Sequence, residues 1–416
     1  MSPLPDQVDV ILDATDIGPP RKIGTLRLSG RRPASPILFA YDAMWVGDPG
    51  FFVVDPSHQP YPGDQVSVDG ALAGVFTDAS PDRWGRMLLE RREADEATAQ
   101  GRRRRTLGEW EFLLGVNDRL RMGALRFIDA EGNFLDSSPT AIPPTAELRE
   151  LESAAREVEH PTDARRGPVL RAAIALLLAP GSPLGGARPK TSFRLEDGAL
   201  WMAKFPSRND RRDVGAWEYV LNELAKRAGI EVPDTRLLRL ASDYHTFAAS
   251  RFDRLGPDRR LVASAMTLVG RRDRDPASYI DIAEAIQNHG ASGHVNEDLA
   301  QLFRRLVFNI ATGHRDDHLR NHGFVRHHDG WRLAPAYDLN PMPDLAEHDL
   351  AVGIDSHQPS IELALAETAP FCRLKPEQAQ HIVVEVVGVV AGWRGVAKGV
   401  GLADDEIDLV SPAFIE

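Results

Sequence analysis

The pattern of apolar residues changes along this chain, and that change constrains the fold more than any other feature. Residues 6–76 contain short β-forming runs, "VDVILD", "IGTLRLSG" and "PILFAY", separated by proline, glycine and aspartate. After about residue 275 the pattern is mostly helical, and the stretch between mixes both types. We therefore expect an α+β protein with a β-rich N-terminal subdomain and a mainly α-helical C-terminal lobe.

Length and composition limit the classes of function. A chain of 416 residues exceeds one ordinary compact core, so two or three domains or lobes are expected. Hydrophobic residues make up 43% and charged residues 26%, which is typical of globular proteins. The formal net charge of −12 argues against autonomous nucleic-acid binding by phosphate neutralisation, although a local basic patch stays open.

Cysteine usage and the apolar segments predict the compartment. Cys372 is the only cysteine, which excludes an intramolecular disulfide and a cysteine-based zinc site, and its apolar neighbours predict a buried thiol. The N-terminal "MSPLPDQVDV" lacks the basic-then-apolar order of a signal peptide. The run "IVVEVVGVVAGW" at 382–393 is too short to span a bilayer and contains Glu385. We expect a reduced, soluble, cytoplasmic protein.

Capping signals predict where several helices begin and end. Ser80 is the expected N-cap of "SPDRWGRMLLERREADEA", with Pro81 at the first helical position. Asn296 is the expected cap of a helix that ends at Gly313. Further helices are predicted over 167–180, over 214–228 with Gly229 as the stop, and in "PEQAQHIVVEVVGVVAGW".

The segment "HRDDHLRN", residues 314–321, concentrates groups that can bind metals and accept protons. It matches the spacing H-R-D-x-x-x-x-N of a kinase catalytic loop, with Asp316 as base and Asn321 as a magnesium ligand. Asp317 is a rival base, but only Asp316 keeps the spacing to Asn321. Two alternatives are a polar loop that matches by chance, and a metal site built from His314, Asp316 and His318.

A second metal ligand is predicted 17 residues beyond Asn321. Between them "GFVRHHDGWRLA" indicates a hairpin with a turn at Asp329-Gly330. Asp338 follows in "APAYDLNP", and its carboxylate would suit Mg²⁺, which prefers oxygen ligands. The alternative is an aspartate that only caps a helix or forms a turn.

Earlier in the chain, "GGARPK" (Gly185–Lys190) combines glycines that let backbone N–H groups approach an anion with the positive charges of Arg188 and Lys190. It lacks the spacing of a Walker A motif. Lys204 follows in "WMAKFP", a lysine in an apolar strand that indicates an anionic partner, with a strand-end lysine reaching water as the alternative. Glu218 or Glu223 is a candidate ion-pair partner.

Taken together, these motifs resemble the HipA family of bacterial serine/threonine kinases, the toxins of HipA–HipB toxin–antitoxin pairs. The resemblance covers nearly the whole chain and rests on the following stretches, found in the family's order: "GVFTDASPDRWGRMLL", "LLGVNDRLRMGALRF", "GGARPK", "WMAKFP", "SRFDR", "GHRDDHLRNHGF" and "APAYDLNP". It implies a two-lobed protein-kinase-like fold with residues 1–130 as N-terminal subdomain, 131–255 as N-lobe core and 256–416 as helical C-lobe.

The resemblance also implies residue roles. Asp316 would be the base, and Asn321 and Asp338 would bind Mg²⁺. The ATP-binding residues would be Lys204 on the α/β-phosphates, the backbone of Ser250 and Phe252 at the adenine, Asp253 near the ribose, His318 near the phosphates, and the loop residues Gly185, Gly186, Ala187, Arg188, Pro189 and Lys190. The substrate would be a protein such as an aminoacyl-tRNA synthetase. The partner would be a small HipB-like helix-turn-helix antitoxin that tethers the kinase to operator DNA.

The stretch before the glycine loop departs from the family pattern. Members often carry one or two serines there, whose autophosphorylation switches the kinase off. In "GSPLGG" only Ser182 remains and Pro183 follows it, so Ser182 is the expected autophosphorylation site and Pro183 would stiffen the loop.

The leading hypothesis is therefore an ATP- and Mg²⁺-dependent serine/threonine protein kinase that acts as a growth-arresting toxin. Two alternatives stay open: a small-molecule kinase, since such enzymes use a similar loop, and a non-catalytic module that binds nucleotide or an antitoxin and serves repression.

Overall fold

The computed structural model describes residues 4–30, 35–67, 72–135, 142–159, 172–174, 177, 186 and 188–415. The chain forms two compact units. The first contains the described residues up to Asn209 together with Asp253–Ala263, and the second contains Asp210–Phe252 together with the described residues from Ser264 onwards. The α+β class is confirmed, with a β-rich N-terminal region and a helical C-terminal region. The three-part division expected from the sequence stays a prediction.

A five-stranded antiparallel sheet organises the N-terminal region. Its spatial order is β4-β3-β2-β1-β5, with β1 (Gln7–Leu12), β2 (Arg21–Leu28), β3 (Ile37–Tyr41), β4 (Gln65–Val66) and β5 (Leu125–Ile128). Alternate residues of β1 are buried because successive side chains of a strand point to opposite faces. The rings of Phe39, Phe76 and Phe127 meet on the buried side.

Besides the helical residues 172–174 and 177, the described part of the first unit contains five α-helices with defined bounds. They are α1 (Ala43–Val46), α2 (Gly74–Asp78), α3 (Arg83–Ala99), α4 (Glu109–Leu114) and α5 (Leu148–Glu159). The predicted N-cap of α3 was wrong. Asp82 caps it by accepting the Gly85 N–H at 2.8 Å, whereas the Ser80 hydroxyl donates to the Phe76 carbonyl at 3.0 Å.

Two hairpins follow in the first unit. β6 (Lys190–Arg194) pairs with β7 (Leu200–Lys204), and β10 (Arg254–Leu255) pairs with β11 (Asp258–Arg259). The hairpin β6–β7 turns at Glu196 and Asp197, where the Gly198 N–H donates to the Leu195 carbonyl at 3.0 Å and Gly198 has φ 89°. The register of this hairpin places Lys190 directly opposite Lys204.

Most of the elements that follow Asp210 are helices. The hairpin strands β10 and β11 belong to the first unit. The other α-helices and strands are α6 (Val214–Arg227), β8 (Thr235–Leu238), β9 (Thr246–Ser250), β12 (Val262–Ser264), α7 (Ala265–Val269), α8 (Tyr279–His289), α9 (Val295–Thr312), β13 (Gly323–His327), β14 (Gly330–Leu333), α10 (Ile361–Leu363), α11 (Ala369–Phe371), α12 (Pro376–Val390), α13 (Trp393–Val400) and α14 (Asp404–Val410). The helix predicted in "PEQAQHIVVEVVGVVAGW" is confirmed as α12.

The core of the second unit is built around α9. Its apolar stripe, spaced at helical intervals, is fully buried and packs against α12, with Leu299, Leu302, Phe303, Leu306 and Ile310 in the stripe. The predicted end at Gly313 is confirmed. The predicted cap Asn296 was wrong, because the helix begins earlier and His294 occupies the N-cap position.

The structure also bears on three other predicted boundaries. In the hairpin β13–β14, His327 pairs with Gly330, so the turn residues are His328 and Asp329 rather than Asp329 and Gly330. The predicted stop of α6 at Gly229 is confirmed, because Ala228 is the C-cap and Gly229 follows it with a left-handed φ of 73°. Of the predicted helix 167–180, residues 172–174 and 177 are helical and the others lie outside the described residues.

The predicted buried thiol is confirmed, since Cys372 is 1% exposed, and this burial raises the pKa of the thiol to about 12. Within the described ranges, none of the helices has both the length and the apolar character that a bilayer span requires.

Candidate active site

A left-handed glycine separates α9 from the segment 314–321. Gly313 has φ 62°, and a Cβ added there would collide with the backbone oxygen of Ala413. Only glycine fits both the conformation and the close approach. The chain therefore turns sharply out of a fully buried helix and delivers the next eight residues as a loop, which ends in a 3₁₀ turn at Leu319–Asn321.

The two adjacent aspartates of this loop have opposite environments. The Asp316 side chain is 55% exposed, whereas that of Asp317 is completely buried. Asp317 accepts hydrogen bonds from the Tyr279 hydroxyl at 2.6 Å, from His348 Nδ1 at 2.9 Å and from the Asp349 N–H at 3.2 Å. Asp317 thus anchors the loop, and Asp316 is the carboxylate that faces solvent.

The charge state of Asp317 follows from these partners. Burial alone would raise the pKa of its carboxyl, but the hydrogen bond and charge of His348, the charge of His314 and the Tyr279 hydrogen bond outweigh burial and lower it. Conversely, burial and the Asp317 charge raise the pKa of Tyr279 well above its ordinary value. The pair is therefore an ionised carboxylate with a neutral phenol donor.

The amide of Asn321 closes the loop. Its Nδ2 donates to the Asp316 carbonyl at 2.6 Å, and this hydrogen bond holds Asn321 close to the Asp316 backbone. Its Oδ1 is buried and accepts no hydrogen bond from the described residues. An amide oxygen left in this state suits a hard cation such as Mg²⁺, which takes oxygen ligands.

The histidines of the segment do not form a common metal site. His314 is buried with Nδ1 3.0 Å from the Asn340 carbonyl, and burial lowers its pKa despite the nearby Asp317 charge. His318 is partly exposed, with Nε2 4.0 Å from Asp316 Oδ1. Among the residues that the structure describes, no cluster of three or more histidine, cysteine or acidic side chains could hold a metal.

The structure holds Asp338 in an unusual backbone conformation just beyond β14. Its φ of 61° lies in the left-handed region, which aspartate tolerates better than most residues and which is often found at functional sites. The preceding Tyr337 donates its hydroxyl to the Arg320 carbonyl at 2.6 Å, and its ring stacks on Phe252 at 5.4 Å. Through these two contacts Tyr337, the residue before Asp338, connects Phe252 to the segment 314–321 within the second unit.

The residues expected around adenine and ribose have other contacts. The Ser250 N–H donates to the Asp234 carbonyl at 2.8 Å. Asp253 is completely buried in the first unit, where it accepts the Gly123 N–H at 2.8 Å and also contacts Arg254. The predicted roles of Ser250, Phe252 and Asp253 in nucleotide binding stay predictions.

The glycine loop and Lys204 belong to the first unit. Ser182, Pro183, Gly185 and Ala187 lie outside the described residues, while Gly186 is exposed with φ 76°. The Arg188 guanidinium donates to the Phe205 carbonyl at 3.1 Å. Lys190 is 1% exposed, and its Nζ lies 2.6 Å from Asp82.

Asp316, Asn321 and Asp338 belong to the second unit, together with Glu218, which is buried on α6. The approach of Lys204 to any of these residues, Glu218 included, stays a prediction.

Two positioning side chains escaped the sequence analysis. Tyr279 begins α8, and His348 lies in an irregular segment well beyond the hairpin. Neither stands in a motif, because each contacts Asp317 across more than 30 residues of chain. The doubled aspartate of "HRDDHLRN" was the only signal that a second acidic role existed.

Comparisons with known proteins agree with these features. A Haemophilus influenzae protein named "Putative kinase" is 27% identical over 191 residues, which cover 40% of this chain and 55% of that protein. "Putative kinase Y4dM" of Sinorhizobium fredii is 24% identical over 241 residues, which cover 52% of this chain and 57% of that protein. The matches thus span little more than half the length of these curated relatives.

A solved complex of the Shewanella oneidensis toxin–antitoxin system, containing HipA, HipB and operator DNA, provides the fold comparison. One chain matches with a TM-score of 0.68 at 16% identity, covering 98% of this chain and 94% of that one. At this identity the match shows the fold alone. Residues 182–393, half of the chain, match the sequence family described as the HipA-like C-terminal domain. The chain therefore belongs to the HipA-like C-terminal domain family.

Proposed function

We propose that this chain is an ATP- and Mg²⁺-dependent serine/threonine protein kinase and the toxin of a HipA–HipB-type pair. The observation that carries the proposal is that the residues of "HRDDHLRN" have clearly different environments. One aspartate is exposed, its neighbour is buried as an anchor, and Asn321 presents a buried amide oxygen without a partner among the described residues. The different environments of the two adjacent carboxylates support a different role for each of them.

In this proposal Asp316 receives the proton of the substrate hydroxyl. Its side chain reaches solvent, where a protein hydroxyl can approach, while its backbone is held from both sides. Asn321 binds the Asp316 carbonyl, and the next residue is fixed by three hydrogen bonds. Such positioning is what phosphoryl transfer demands, because the transition state needs orientation and charge stabilisation more than covalent chemistry.

The metal would be held by Asn321 and Asp338. Both offer oxygen atoms, the ligand type that Mg²⁺ prefers. When bound, Mg²⁺ would neutralise charge that develops on the transferred phosphoryl group. The left-handed backbone of Asp338 and the Phe252–Tyr337 stack beside it would hold the carboxylate in one direction.

The nucleotide phosphates would be bound by the first unit. Lys204 would supply a point charge to the α/β-phosphates, and Gly186, whose backbone is left-handed, would let N–H groups approach. The other loop residues Gly185, Ala187, Arg188 and Pro189, the backbone at Ser250 and Phe252, Asp253 and His318 keep their predicted nucleotide roles within this proposal. Ser182 remains the proposed autophosphorylation site.

The biological partners are part of the proposal as well. The substrate class is a protein, such as an aminoacyl-tRNA synthetase, and the partner is a small HipB-like antitoxin that brings operator DNA close. Support comes from family membership and from the solved HipA–HipB–DNA complex of similar fold. A cytoplasmic location belongs to the same proposal.

Labelled ATP tests the function directly. Purified protein is incubated with γ-labelled ATP, Mg²⁺ and bacterial lysate, and the label is followed on proteins and on small molecules. We expect label on protein, and a loss of about 10²–10⁴-fold in the Asp316→Asn variant. Asp344→Asn is the matched control, because Asp344 is an exposed carboxylate in the same unit.

Each of the two alternative functions predicts a different result in this assay. Label that appears only on small molecules would favour the small-molecule kinase. ATP or antitoxin binding without turnover under any condition would favour the non-catalytic module. Equal activity in wild type and Asp316→Asn would remove Asp316 as the base.

A further inference from the structure

We propose that Asp82 of the N-terminal subdomain is a positioning residue for the nucleotide loop, and that it acts by holding Lys190. The inference rests on the proposed kinase function and assigns a role to the motif "SPDRWGR", which phosphoryl transfer leaves unexplained. It also changes the expected role of Lys190, from a phosphate ligand to a bridge between the subdomain and the loop.

The contact is short and buried. Lys190 Nζ lies 2.6 Å from Asp82 Oδ2, and the two side chains are 1% and 6% exposed. The same ammonium lies 3.4 Å from the Gly186 carbonyl oxygen, inside the glycine loop. One cation thus joins a carboxylate of the N-terminal subdomain to the backbone of the loop. Charge-assisted hydrogen bonds of this kind are stronger than neutral ones and hold geometry well.

The carboxylate itself is fixed in place. Its other oxygen, Oδ1, accepts the Gly85 N–H at 2.8 Å as the N-cap of α3. The backbone just before it is held by Arg121, a buried guanidinium that donates to the Ala79 carbonyl at 3.0 Å. Trp84, at the start of α3, is also buried. Asp82 is therefore an anchor that can restrain Lys190, rather than a side chain that follows it.

The hairpin register gives this anchor an electrostatic role. Lys190 and Lys204 are direct cross-strand neighbours, so both side chains leave the same face of the β6–β7 hairpin. Directly opposed like charges destabilise a β-sheet pair. Asp82 offsets one of the two positive charges, and Lys190 can be buried beside the lysine that we assign to ATP. Without the carboxylate, the buried ammonium would face both Lys204 and the positive end of α3.

Three variants test the role. Asp82→Asn keeps the shape of the side chain and can still cap α3, but it lacks the charge. Asp82→Ser keeps a hydroxyl that can cap α3, but this hydroxyl cannot reach the Lys190 ammonium. Lys190→Met removes the cation. We expect both Asp82 variants to raise the KM for ATP about tenfold with kcat little changed, the cost of one charge-assisted contact. We also expect faster amide hydrogen exchange at Gly186 and across residues 188–190 in both.

A double variant separates a bridge from a direct phosphate ligand. If Lys190 acts through Asp82, Asp82→Asn adds little to Lys190→Met, because the two changes remove one interaction. Asp42→Asn is the matched control, since Asp42 caps α1 through Met44 N–H and is an aspartate of the same subdomain. It should leave the KM for ATP and the loop exchange unchanged.

Two results would overturn the inference while the kinase assignment stands. One is an unchanged KM for ATP and unchanged loop exchange in the folded Asp82 variants of an active enzyme. The other is full additivity of the Asp82 and Lys190 effects. A wild-type protein that neither binds ATP nor transfers phosphate would instead refute the proposed function, and this inference with it.

Discussion

The buried hydroxyl of Tyr279 donates a 2.6 Å hydrogen bond to Asp317, the residue beside the proposed base Asp316. The same hydroxyl accepts a hydrogen bond from Asn309 Nδ2 at 2.8 Å. Tyr279 therefore connects α8 and α9 to the loop that would hold the substrate hydroxyl. The position of an exposed side chain, Asp316, thus depends on a hydroxyl that solvent cannot reach.

Replacing Tyr279 by phenylalanine tests this dependence. The change leaves the Asp317 carboxylate and the Asn309 amide each short of one partner, so we expect a loss of about 1–3 kcal/mol in the free energy of unfolding. We also expect kcat to fall while the KM for ATP stays the same, because the nucleotide contacts are assigned elsewhere. Urea unfolding and steady-state kinetics measure both. Tyr219→Phe, on the partly exposed side of α6, is the matched control, and an equal loss there would contradict the prediction.

The two adjacent aspartates should respond to the same substitution in opposite ways. Asp317→Asn weakens a buried pair with His348, so we expect a destabilisation of about 3 kcal/mol or more. Asp316→Asn changes an exposed side chain, so its stability should stay within about 0.5 kcal/mol of wild type while phosphate transfer is lost. Urea unfolding and labelled-ATP assays on the two variants distinguish them. A stable Asp317→Asn protein would refute the anchor role.

Gly313 should tolerate alanine less well than another left-handed glycine. Gly313 and Gly401 both end helices with positive φ, 62° and 97°, so alanine is strained at either position by roughly 1–2 kcal/mol. Only at Gly313 would the new methyl group also collide with the Ala413 backbone, whereas at Gly401 no described atom outside the local backbone lies within 4 Å of it. We expect Gly313→Ala to be clearly the more destabilised in thermal or urea unfolding. Equal losses of stability in the two variants would mean that the backbone at Ala413 moves aside at little cost in free energy.

A buried histidine should make the N-terminal region sensitive to mild acid. His58 stacks on Phe39 at 4.7 Å, and burial lowers its pKa below 6.5 even though the charge of Asp55 acts the other way. The folded state then binds fewer protons than the unfolded state below about pH 6.5. Stability is full above that pH and falls as the pH decreases towards the folded-state pKa.

The measurement is urea unfolding of wild type and His58→Phe at pH 5 and pH 7. Phenylalanine keeps a ring to stack on Phe39 and cannot be protonated, so the variant should lose less stability between the two pH values. His381→Phe is the control, because that side chain is 73% exposed. Identical pH dependence in wild type and His58→Phe would show that His58 does not contribute.

Much of the local structure could be predicted from residue order. Strands β1–β3, the hairpin β13–β14, the end of α9 at Gly313 and the buried Cys372 all follow from short-range patterns of apolar residues and glycines. The α3 cap was missed by two residues, because Ser80 and Asp82 are both good caps and only their hydrogen bonds decide between them. The start of α9 was missed for a different reason. Its N-cap residue, His294, is not one of the residues that usually cap helices, whereas the nearby Asn296 is.

The sequence by itself determined which residues are candidates for the chemistry, because a motif such as "HRDDHLRN" lies within eight consecutive positions. Only the tertiary structure decided what the second aspartate does and what Lys190 contacts. Tyr279 and His348 reach Asp317, and Asp82 reaches Lys190, across 31 to 108 residues of chain. The burial of Asp317 and the pairing of Lys190 with Asp82 depend on residues that are far apart in the chain, so no local pattern of residues encodes them.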